Sequence, residues 1–152
     1  MEYAEANRNH YQKWSLELET IILVQQYSLW DKEKKADWFG KYETFVDQIP
    51  YETVRFRNIL ALLDIVDDET IRNVWFDKAL AVARGRFVDH RLDAYIQTAN
   101  QAVKCNLPDC AREIIDEALD FAATLSKTTR NSTTTSRRIR DIEHLCDELP
   151  NK

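Results

Sequence analysis

The chain has 152 residues, long enough for one domain whose core needs neither disulfides nor metal. Hydrophobic residues make up 44% and charged residues 31%, which argues against a disordered chain. With only two Gly and three Pro it lacks the turn residues of a sheet-rich fold and the glycine loop of a phosphate-cradling fold, and a net charge of -5 disfavours a general nucleic-acid binder.

In chain order, the apolar spacing predicts a first helical segment over about residues 2–30. Tyr3, His10, Trp14, Leu18 and Ile21 form one stripe and Leu16, Leu23, Tyr27 and Trp30 a second. A second helix is expected from Asp31, a plausible cap, to Ile49, with Trp38, Tyr42, Phe45 and Ile49 on one face and Pro50 as its stop. Gly40 weakens it. The third helix fits Tyr51 to Val66 and the fourth Asp68 to Arg84, with an acidic first turn and Gly85 as closing residue. Asp89 is expected to open the fifth, which runs to Cys105. Pro108 suits the start of the sixth, which runs to Ser126. Residues 127–136, rich in Ser and Thr, read as a basic loop. A last amphipathic helix over 137–149 carries Ile139, Ile142, Leu145 and Leu149. The expected fold is all-α: about seven helices in one domain, stacked as antiparallel hairpins because the connections are short, either as a solenoid or as an irregular bundle.

The hairpins invite a test for repetition. Asp77-Lys78-Ala79-Leu80-Ala81-Val82-Ala83 aligns with Asp116-Glu117-Ala118-Leu119-Asp120-Phe121-Ala122, and at the same offset Phe56 meets Tyr95 and Phe76 meets Ile115. Small side chains there let helix backbones approach closely. The segment from Tyr95 to Ala123 resembles a tetratricopeptide-type repeat, with Tyr95, Ala99, Ala111, Ile115 and Ala118 at the family's aromatic, small and bulky positions. The copy before it departs from the pattern at Leu60 and Arg72, the period exceeds the usual thirty-four residues, and the closing proline is missing from both. The resemblance covers about half of the chain. It implies a protein or peptide partner held on a groove formed by the first helix of each hairpin, with Arg57, Asp64, Asp93, Asn100 and Lys104 facing it.

Chemistry-bearing residues are sparse. Cys105, Cys110 and Cys146 form no disulfide framework and lack zinc-site spacing, and Asp141 and His144 make a single imperfect carboxylate–histidine pair. No Ser or Cys is tied to His90 by a local motif, and neighbouring acids such as Asp116 and Glu117 diverge around a helix. The expectation is therefore a protein that is not an enzyme and uses neither metal nor cofactor. The longest apolar run, Ile21 to Val24, is too short to span a membrane. The opening residues show no basic-then-apolar leader, so a cytoplasmic location is expected. Pairing with a second copy is allowed, and the aromatic side chains Trp14, Trp30, Trp38 and Phe39 read as an end cap of the stack or a partner patch. The alternative functional surface is the basic stretch from Lys127 to Arg140, which holds Lys127, Arg130, Arg137, Arg138 and Arg140 and no acidic residue. Those residues suit phosphate, on nucleic acid or on a phosphoprotein, though aromatic interleaving is missing.

Overall fold

The computed structural model describes residues 29–149, and the first expected helical segment, Trp14 included, lies outside them apart from Leu29 and Trp30. Among the described residues there are seven helices and no strand: α1 (Lys32–Asp47), α2 (Glu52–Leu63), α3 (Glu69–Arg84), α4 (Val88–Lys104), α5 (Pro108–Ala123), α6 (Lys127–Arg130) and α7 (Thr133–Glu148). The fold class is all-α, with packed helix pairs that include α1 with α2, α4 with α5 and α6 with α7. The chain divides into two compact units, Met1–Trp75 and Phe76–Lys152, and the division falls within α3.

In the first unit α1 packs on α2. Asp31 caps α1 as the sequence suggests, its Oδ1 accepting from the Lys34 amide at 2.7 Å. Phe39, Val46, Ile49, Phe56, Ile59, Leu62 and Leu63 are buried at helical spacing. Trp38 stacks on Tyr42 with ring centroids 4.5 Å apart and meets Phe39 edge-on at 5.1 Å, and Phe39 lies 6.4 Å from Trp75. Helix α2 stops at Leu63, short of the expected Val66, because Ile65 and Val66 bond back to Leu62 as a turn. The freed carbonyl of Val66 then accepts from Arg72 at 3.1 Å. Asp68 caps α3 by accepting from the Ile71 amide at 3.0 Å.

The second unit is built on α4, α5 and α7, each packed on the other two. Alanines line its interior: Ala94, Ala99, Ala102, Ala111, Ala118 and Ala122 are all buried, together with Tyr95, Ile114 and Ile115. Arg91 lies over Phe121, while Tyr95, one turn on, bonds Glu117, one turn back. Residue numbers rise on α4 as they fall on α5, so the two helices form an antiparallel hairpin. Their turn is a Schellman arrangement: the Asn106 amide donates to the Val103 carbonyl and the Leu107 amide to the Ala102 carbonyl, both at 2.9 Å. Asn106 takes the left-handed conformation (φ 61°) that glycine usually supplies, and Pro108 starts α5.

Three local expectations need correction. Gly85 does not close α3 in the left-handed region; the helix ends on tight bonds from Gly85 to Val82 and from Arg86 to Ala83. Asp89 does not cap α4, since the helix begins at Val88 and the Asp89 carboxylate turns to α7 instead. Residues 127–136 are not a loop but α6 and the first turn of α7. The hydroxyls that suggested a loop act as caps: Ser126 Oγ accepts from the Thr129 amide at 3.2 Å and Ser132 Oγ from the Thr135 amide at 3.4 Å.

A basic pocket between two capped helices

Helix α7 is fastened to α4 by three side-chain pairs of nearly constant sequence separation. Thr135 Oγ1 donates to Asp89 Oδ1 at 2.7 Å and Thr134 Oγ1 to Asp89 Oδ2 at 3.3 Å. One turn further, Arg138 Nη2 donates to Asp93 Oδ2 at 3.0 Å, with Nε 2.9 Å from Oδ1. Residue numbers rise together on both helices, so α7 runs parallel to α4. The Asp93 carboxylate pushes the Arg138 guanidinium further above its ordinary range, because the charged form is held by hydrogen bonds and by opposite charge.

These contacts join two residues that the sequence assigns to different surfaces. Asp93, expected in a groove, and Arg138, expected to meet phosphate, are spent on each other. Of the other expected groove residues, Arg57 is exposed on α2 and Asp64 is the C-cap of that helix, both in the first unit. Asn100 and Lys104 are exposed on α4 in the second unit, one turn apart.

The remaining basic residues fare differently. Lys127, Arg130 and Arg140 line one open depression of about 550 Å³, together with Leu125, Asn131, Ser136, Ile139 and Glu143. Capping sets this geometry. Ser126 starts α6 and so projects Lys127 and Arg130, while Ser132 starts α7 and lays Ser136, Ile139, Arg140 and Glu143 along one stripe. Arg137 is exposed on α7 but outside the lining. Among the described residues the side chains of Lys127, Arg130, Arg137 and Arg140 make no hydrogen bond or ion pair. The pocket therefore presents several N–H donors with nothing to accept from them, over an apolar floor of Leu125 and Ile139. Asn131, Ser136 and Glu143 were not singled out in the sequence. Their signal is the spacing of 136, 139, 140 and 143, which becomes visible once Thr133 begins a helix.

A second set of polar contacts ties the end of α3 to the α4–α5 hairpin. Arg84 donates to Glu117 through Nε, at 3.1 Å to Oε2, and through Nη2 to Oε1; Arg91 donates to the Tyr95 hydroxyl at 3.0 Å and stands 3.9 Å over the Phe121 ring. The Arg84 guanidinium draws the Glu117 carboxyl below its ordinary value. Burial pushes the Cys110 thiol up, so it is poorly suited to act as a thiolate. Among the described residues no group of three or more His, Cys, Asp or Glu converges on a metal position, and no helix is long and apolar enough to cross a membrane. Compared with family models, with curated proteins and with solved structures, the chain matches none.

Proposed function

We propose that this chain is a non-catalytic protein-interaction module that docks a peptide segment of its partner in the pocket between α6 and α7. The observation that carries the reading is a cluster of three cations, without a partner among the described residues, in one concavity of a chain whose net charge is -5. Two other arginines of the second unit are matched by carboxylates, Arg84 with Glu117 and Arg138 with Asp93, while Arg137 is exposed outside the lining. Cations left unmatched over an apolar floor suit a ligand that brings both negative charge and aliphatic surface, as an acidic peptide does.

Nucleic acid, the alternative partner, fits less well. No aromatic side chain lines the pocket to stack a base. Along α7 the charge changes sign after Arg140, to Asp141, Glu143, Asp147 and Glu148, so a long polyanion following that helix would meet carboxylates.

A selection of random peptides against the whole chain tests the reading. Selected peptides are expected to be acidic and to lose at least about tenfold in affinity with Arg130→Glu and Arg140→Glu, with melting temperature unchanged. The double variant Asn100→Ala, Lys104→Ala is expected to bind normally. Peptides that ignore the pocket variants but are lost with the second pair would move the docking surface to α4 and contradict the proposal.

A further inference from the structure

We infer that the pocket between α6 and α7 selects a phosphorylated serine or threonine side chain on its peptide partner. The inference rests on the docking reading above and specifies the group recognised. Its basis is charge and donor count. Lys127, Arg130 and Arg140 against Glu143 leave the lining with two formal positive charges. A phosphomonoester carries about -1.5 to -2 at neutral pH and offers three strong acceptor oxygens. An aspartate or glutamate carries one charge and two oxygens, enough for one bidentate guanidinium, and would leave one positive charge of the lining unanswered. Asn131 adds a neutral amide donor on the same lining, while the Ser136 hydroxyl donates to the Thr133 carbonyl.

A second observation is independent of the pocket count. Helix α7 has no acidic residue in its first turn and no basic residue in its last, where Asp147 and Glu148 stand. That order opposes the helix dipole, so helix stability does not explain why its cations are gathered toward Ser132. Of the three, Arg140 joins Lys127 and Arg130 of α6 in the lining, Arg138 is taken by Asp93, and Arg137 lies outside. The carboxylates beyond Arg140 end the positive stretch of α7 at that residue.

The test uses the whole chain and four probes: degenerate peptide libraries fixed at phosphoserine, serine or aspartate, and a single-stranded RNA 12-mer. The phosphoserine library is expected to be retained at least about tenfold over the aspartate one. Arg130→Gln or Arg140→Gln should abolish that preference. Arg137→Gln removes the same charge from the same helix outside the pocket and should keep it, which separates a shaped site from general attraction. Inorganic phosphate at millimolar concentration should compete. Equal retention of phosphoserine and aspartate libraries, with loss on Arg140→Gln, would overturn phosphate selection and leave the docking reading standing. Retention of the RNA alone, or peptide retention indifferent to Arg130 and Arg140, would overturn both.

Discussion

Individual side chains decide where these helices start and what they leave open. Asp31, Asp68, Ser126 and Ser132 each accept a first-turn amide, which satisfies a donor that no helical carbonyl can reach. Ser136 is different: its hydroxyl donates to the Thr133 carbonyl and caps nothing. Ser132→Ala is accordingly expected to lower stability by about 1 kcal/mol in urea denaturation, while Ser136→Ala stays within about 0.5 kcal/mol of the parent. Gly40 makes a prediction of opposite sign. It sits inside α1, exposed, and a Cβ built there meets nothing within 4 Å. Gly40→Ala is expected to raise stability by about 0.5–1 kcal/mol through lost freedom of the unfolded chain, as read by the same denaturation curve.

At the scale of the element, the long helices were legible because their apolar residues recur at three and four. Phe56 and Ile59 of α2 and Ile114, Ile115 and Ala118 of α5 are buried at that spacing, whereas on α1 the stripe is only partly right: Tyr42 is buried, but so are Phe39 and Val46, which lie off it, and Trp38 is half-buried. Asp31 and Pro108 were read correctly from their chemistry. What escaped was the helical character of residues 127–136, since serine and threonine serve loops and helix caps alike, and only the tertiary bonds from Thr134 and Thr135 to Asp89 separate the two uses. The candidate site was legible as a cluster of cations but not as a pocket, because its shape depends on that missed turn. Arg138 looked equivalent to Arg140 in sequence; two positions along a helix turn it to the other side, onto Asp93. The alanine seam of α4 and α5 carries its own prediction. Ala118 is buried where the two backbones approach, and Ala118→Leu is expected to destabilise by about 1–3 kcal/mol, with a lowered melting temperature, because the added carbons have no space.

For the whole molecule, acidity shapes both stability and binding. Glu117 is held below its ordinary value near 4.5 by Arg84, so between the two values the unfolded chain binds more protons than the folded one. That contribution is complete above about pH 5 and is lost as the pH falls through the folded value. Glu117→Gln is expected to lower stability modestly at pH 7 and to flatten the loss below about pH 5, measured as urea midpoints across pH. The same surplus of carboxylates repels polyanions in general, so an unpaired basic pocket stands out against it as a place for one short, strongly charged group.

Chemical-shift mapping of the isotope-labelled chain with a phosphoserine peptide locates the binding group directly. The amides of Arg130, Asn131, Ser136, Arg140 and Glu143 are expected to move together and saturably, while those of Asn100 and Lys104 stay in place. Shifts centred on Asn100 and Lys104, with the α6–α7 amides unmoved, would contradict a pocket built from Lys127, Arg130 and Arg140.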